Sequence, residues 1–173
     1  KKREMINMKL PRLHIEKEWF KDDYDRTVML RGVNLGASCK VPLVPNERTD
    51  IPTDFSNHKE VSFVGRPFPI EDGPTHFSRL RAWGFNVLRF AITWEAIEHA
   101  GPGNYDTQYL DYFAKICGMA EEYGLYVFID FHQDVWSRMT GGDGAPCWLF
   151  EKVGLDYSKL SETNWAHIMQ HSF

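Results

Sequence analysis

Apolar and polar positions alternate in two distinct rhythms along this chain. Leu13 to Phe20 (LHIEKEWF) alternates with a period of two, which predicts a strand. KDDYD then reads as an Asp-rich turn, and Arg26 to Asn34 (RTVMLRGVN) as the returning strand. The pattern predicts an N-terminal hairpin whose second half becomes the first core strand. Leu35 to Asp72, with five prolines, has no helical period and reads as a long loop. Pro74 to Trp83 has helical spacing, with Phe77, Leu80 and Trp83 on one face and Gly84 as the stop. Phe85 to Ile92 (FNVLRFAI) is a strand, followed by a long connection through the GPGN turn. Asp106 caps the clearest helix, Thr107 to Tyr123, whose expected buried stripe is Leu110, Phe113, Ile116, Cys117 and Ala120. Gly124 ends it, and LYVFIDFHQD (Leu125 to Asp134) begins at once. A Gly-rich loop from His132 to Tyr157 follows, then a last helix expected from about Ser161 to the end.

Every helix-to-strand joint is minimal (WGFNV, YGLYV), whereas every strand-to-helix loop is long. Strands alternating with helices predict an α/β fold with a parallel sheet and crossover helices. The loop asymmetry places all elaboration at the carboxyl ends of the strands, where such folds carry their sites. Three core strands plus a hairpin fall short of the eight that a closed barrel needs. The chain is then either a small open-sheet protein or, the favoured reading, the N-terminal portion of a (β/α)8 barrel, about strands one to three. Residues 1–27 would hold a tail and the first hairpin strand, and 28–173 three β/α units.

Composition narrows the function. Hydrophobic residues make up 43% and charged residues 25%, ordinary for a globular protein. A net charge of −4 offers no basic footprint for nucleic acid. No apolar run approaches the roughly 20 residues of a membrane span, which leaves peripheral membrane contact open. Aromatic residues reach 14%, with six Trp, which suits flat amphipathic ligands such as sugars. Cys39, Cys117 and Cys147 are odd in number and widely spaced, and are expected as free thiols. KKREMINMKL is basic but lacks the apolar core of a signal peptide. An intracellular location, cytoplasmic or vacuolar, is the expectation. Neither a cofactor nor a protein partner is predicted.

The candidate chemistry gathers near two strand ends. Arg89 lies inside a core strand, where arginine is rarely buried without a partner. Asp130 could supply a structural ion pair, or Arg89 could orient a carboxylate at the mouth of a site. Asp130, His132 and Asp134 share one face of an extended strand. His132 and Asp134 could begin a metal site, but no second cluster completes one. The stronger reading makes both hydrogen-bond partners of a polyhydroxyl ligand. Glu95, Glu98, Asp130 and Asp134 could be paired for hydrolysis, but spacing selects no two of them. Glu95 and Glu98 fall in a short helical turn and could simply be solvated. Met139 to Trp148 (MTGGDGAPCW) lacks a phosphate-loop pattern; it either presents Trp148 to a ligand or packs it as an anchor.

RGVNLGASCK, FNVLRFAITWEAIEHAGPGNYD, YLDYFAKICGMAEEYGLYVFIDFHQDVWSR and GGDGAPCW together resemble glycoside hydrolase family 5, in its fungal steryl-β-glucosidase and endoglycoceramidase-related branch. RGVN and a strand ending in D-x-H are widely shared in that clan, whereas FHQDVWSR followed by GGDGAP is more specific. The resemblance implies a retaining β-glycosidase on a (β/α)8 barrel that removes glucose from a steryl glucoside or glucosylceramide. It implies two catalytic glutamates after strands four and seven, neither in this chain, so that the chain alone is inactive. It assigns Lys40, His132 and Asp134 to the sugar, Trp148 to an aromatic wall, and Arg89, Asp130 and Asn34 to the supporting shell. Two other readings stay open: a non-catalytic carbohydrate- or glycolipid-binding protein, and a metal-dependent barrel hydrolase.

Overall fold

A computed structural model describes residues 10–45, 57–160 and 162–166. Two sheets result. Strands β1 (Leu13–Glu16) and β2 (Trp19–Asp22) form an antiparallel hairpin. Strands β3 (Gly32–Asn34), β4 (Val87–Ile92) and β5 (Tyr126–Phe131) form a parallel sheet in that order. The hairpin is smaller than predicted and turns earlier, at Lys17 and Glu18, inside the run read as one strand. Lys17 takes a positive φ of 55° there. KDDYD forms a second turn: the Asp22 carboxylate accepts from the Tyr24 and Arg26 amides and from the Arg26 guanidinium. The chain after it touches β2 through one bridge, Lys21 to Thr27, leaves strand geometry over 28–31, and enters the core sheet only at its end, as β3. Asn86 clips this segment, accepting from the Arg31 amide and donating to the Met29 carbonyl.

Helix α1 (Gly73–Ala82) joins β3 to β4, and α3 (Thr107–Glu122) joins β4 to β5; a short α2 (Trp94–Glu98) opens the second crossover. Asp106 caps α3, its carboxylate accepting from the Tyr109 amide at 2.9 Å. Gly84 and Gly124 both take positive φ just past a helix, which lets the next strand start immediately. Gly73 lets α1 pack closely on α3, where a Cβ would press on the end of the Met119 side chain.

The core lies between the sheet and these helices. Leu88, Phe90 and Ile92 of β4 face Phe77 of α1 and the buried stripe of α3. That stripe is Tyr109, Tyr112, Ile116 and Ala120, rotated from the predicted one. Phe113 and Cys117 flank it and Leu110 is partly exposed. Tyr112 can be buried because its hydroxyl donates to the Phe68 carbonyl at 2.6 Å. Trp83, expected on the inner face of α1, caps that helix and is 66% exposed. The helix expected near Ser161 does not form over 162–166, which are turn and bend; its remainder lies outside the described residues.

The second face of the sheet carries polar groups. Register pairs Asn34 with Arg89 and Arg89 with Phe128, then Ala91 with Asp130. Strand β5 is an edge among the described residues, and its Phe128 and Phe131 are 58% and 76% exposed.

Candidate functional site

Arg89, Asp130 and His132 meet where β4 and β5 run out. Arg89 Nη2 donates to Asp130 Oδ2 at 2.5 Å, and Nη1 donates to Asn34 Oδ1 at 3.3 Å. Ala91, between Arg89 and the strand end, is small enough to let the guanidinium reach diagonally to Asp130. His132 Nδ1 lies 3.0 Å from the same Asp130 oxygen. A carboxylate only accepts, so Nδ1 carries the ring proton. The Arg89 Nη2 contact to Nδ1, at 3.3 Å, then joins two donors and contributes no hydrogen bond. The predicted Arg89–Asp130 pair therefore exists, and it also holds the histidine.

Two further segments close on this cluster. Gly36, at a φ of 65°, turns the chain after β3 into the 3-10 turn Ala37–Lys40. Cys39 is buried there, its thiol donating to the Gly36 carbonyl at 2.7 Å and pushed up to about 11 by desolvation. Lys40 follows, with Nζ 3.9 Å from Asp143 Oδ2. Asp143 Oδ1 faces His132 Nε2 at 3.6 Å, and both atoms are buried with no hydrogen-bond partner. Burial pushes the Asp143 carboxyl above its ordinary value, against the opposing pull of Lys40 and His132.

Asp143 arrives on the Gly-rich loop, which is folded back rather than splayed. Its backbone pairs with Asp134 in both directions, at 2.9 and 3.0 Å. Gly142 makes that possible: a Cβ there would meet the Asp134 carbonyl oxygen at 1.9 Å. Ser137 caps the 3-10 turn Arg138–Thr140 in a capping box, and its hydroxyl donates to the Ala145 carbonyl at 2.8 Å. Met139, Cys147, Phe150 and Leu160 form a small core beneath, with Trp136 over Phe150 at 4.3 Å.

A buried ion pair ties this loop to α2. Arg138 donates through Nε and Nη2 to Glu95, at 2.8 and 2.5 Å, with both side chains essentially fully buried. The Glu95 amide also donates to the Gly144 carbonyl. Glu95 is thus not a solvated carboxylate, as its surroundings in sequence allowed. Neither this pair nor Asp143 was predicted. Asp143 had one signal, an acid bracketed by glycines in GGDG. The partner of Glu95 had none.

Four predicted residues, Asn34, Arg89, Asp130 and His132, form one hydrogen-bonded group, and Lys40 stands beside it through Asp143. Asp134 contributes its backbone to the pairing with Asp143 and is itself exposed, beyond the end of β5. Trp148 begins helix α4 (Trp148–Val153) and is buried, its Nε1 donating to the Glu98 carbonyl at 2.7 Å. Trp94 lies edge-on against it at 5.5 Å and is 40% exposed. Among the described residues, no three His, Cys, Asp or Glu side chains are placed to hold a metal ion.

Comparison with known proteins identifies the relatives of the chain. The profile of the Cellulase family (glycosyl hydrolase family 5) matches residues 49–165. A glucosylceramidase of Aspergillus fumigatus is 44% identical over 162 residues, covering 94% of this chain and 21% of the relative. An ergosteryl-beta-glucosidase of Saccharomyces cerevisiae is 38% identical over 162 residues, covering 90% of this chain and 21% of the relative. The crystal structure of Cryptococcus neoformans sterylglucosidase 1 with tris superposes with a TM-score of 0.83 at 39% identity, over 90% of this chain and 22% of that one. The chain spans about a fifth of the length of the curated relatives it matches.

Proposed function

Since the chain belongs to glycosyl hydrolase family 5, we propose that it forms the first three β/α units of a retaining β-glycosidase that removes glucose from a steryl glucoside or a glucosylceramide. The observation that carries this reading is the Asn34–Arg89–Asp130–His132 group at the carboxyl ends of parallel strands. A half-buried guanidinium clamped by a carboxylate and an amide is a preorganised positive field. Such a field favours an ionised carboxylate nearby and resists reorganisation as charge develops. His132, Lys40 and Asp134 are the side chains that hold the sugar hydroxyls. Contacts of that kind strengthen toward an oxocarbenium-like transition state and lower the barrier. The acid/base and nucleophile glutamates, which retention places about 5 Å apart, are supplied by further β/α units. The relatives' names, glucosylceramidase and ergosteryl-beta-glucosidase, support a lipid-linked glucoside as substrate. Three free thiols, Cys39, Cys117 and Cys147, support a location inside the cell, in the cytoplasm or vacuole.

The test is turnover. The full-length protein is expected to release glucose from ergosteryl glucoside or glucosylceramide, and the 173-residue chain alone to give none. Full-length protein that binds these lipids without releasing glucose would favour a non-catalytic binding protein instead.

A further inference from the structure

We propose that Asp143 is a positioning residue of this site, holding one proton between its Oδ1 and His132 Nε2 and thereby fixing the His132 ring and the Lys40 ammonium toward the substrate. The proposal rests on the reading that His132 and Lys40 contact the sugar. Its geometric basis is the pair of orphaned atoms. His132 Nδ1 uses its proton on Asp130, so an otherwise neutral ring presents a bare lone pair at Nε2. Asp143 Oδ1 stands 3.6 Å away, also unpartnered and also buried. Two acceptors facing each other out of water repel, and each forfeits its solvation. One proton on either atom turns that opposition into an attraction across the 3.6 Å gap.

Burial and the nearby carboxylates favour such a proton, against the pull of the Lys40 ammonium. Lys40 approaches Asp143 from the turn after β3, and His132 from the end of β5; the Asp134 and Glu95 carboxylates act on it from further off. Desolvation is the largest influence on the Asp143 carboxyl and raises it. The sign for stability follows. An acid whose folded value is raised gains stability for the fold as pH falls through that value, and its buried charge is a cost at neutral pH. Asp143 is therefore not retained by the fold for stability. Yet the fold builds its position with care: Gly142 has no room for a Cβ, and the Asp134–Asp143 backbone bridge sets its register.

The experiment uses the full-length protein carrying Asp143→Asn, which keeps the shape and removes the charge. Three quantities are read: melting temperature, kcat/KM on a fluorogenic β-glucoside, and the ring nitrogen shifts of His132 in protein labelled with 15N-histidine. The expected result is an unchanged or higher melting temperature with kcat/KM lower by roughly 10–100-fold, the range of a lost hydrogen bond to a charged group. The Nε2 resonance should move to the range of a bare nitrogen, while Nδ1 stays protonated on Asp130. An Nε2 shift identical in wild type and variant overturns the proposal. So does a fall in melting temperature that accounts for the lost activity. Wild-type protein with no β-glucosidase turnover removes the functional reading instead, and the histidine spectra then decide the Asp143–His132 pairing on their own.

Discussion

Arg138 and Glu95, 43 positions apart, close on each other with two hydrogen bonds of 2.8 and 2.5 Å in a setting that excludes solvent from both. A bidentate pair of this kind fixes direction as well as distance. It joins α2, at the end of β4, to the loop that delivers Asp143. Removing one partner strands the other charge, so Arg138→Met or Glu95→Leu is expected to destabilise the protein by roughly 3–5 kcal/mol. The double variant Glu95→Leu with Arg138→Met should recover part of that loss, because replacing both ions removes both desolvation costs. Urea unfolding of the two single variants and the double variant measures the cycle.

His132 should matter for rate rather than for folding. His132→Ala in the full-length protein is expected to lower kcat/KM on a β-glucoside by about 10–100-fold, from loss of a hydrogen bond to a polar substrate. The far-ultraviolet circular dichroism should be unchanged. Unaltered kinetics would remove His132 from the sugar site.

Arg89→Lys is not a conservative change here. Lysine cannot reach Asp130 and Asn34 at once, as the guanidinium fork does. Activity should fall at least as far as in His132→Ala, and most of the loss should appear in kcat, since the field acts on developing charge. A pure rise in KM would argue that Arg89 serves ground-state binding.

Gly142→Ala tests the loop. The added methyl would collide with the Asp134 carbonyl oxygen, 1.9 Å away, so the bridge to Asp143 must open. Hydrogen exchange at the Asp134 and Asp143 amides should accelerate, and activity should fall with it. Retained protection at both amides would show that the bridge tolerates a side chain.

His58 gives the fold a pH dependence away from the site. Its ring is buried against Tyr157, and desolvation lowers its affinity for a proton despite Glu151 Oε1 at 3.6 Å. The unfolded chain therefore takes up the proton first as pH falls. The stability concerned is full above about pH 6.5 and is lost as pH drops from there through the lower folded value. His58→Gln should flatten this part of a melting temperature against pH curve, and an unchanged slope would assign it elsewhere.

Much of this protein follows from its sequence by itself. Apolar runs ending in polar clusters, single-glycine joints and long returning loops determine a parallel sheet with a polar cluster at the strand ends. Arg89, Asp130 and His132 were legible because a charged residue inside a strand demands a partner, and period two aligns the rest. The hairpin turn and the α3 stripe were less legible. Lys17 carries no turn signature, and Tyr112 reads as polar until a carbonyl for its hydroxyl is found. The partnership of Glu95 with Arg138 and the arrival of Asp143 beside His132 and Lys40 were decided only by tertiary structure. Neither follows from local periodicity, because each joins segments that meet when the loops fold over the strand ends. There, burial turns a surface-type acid into a partner that a cation or a shared proton must satisfy.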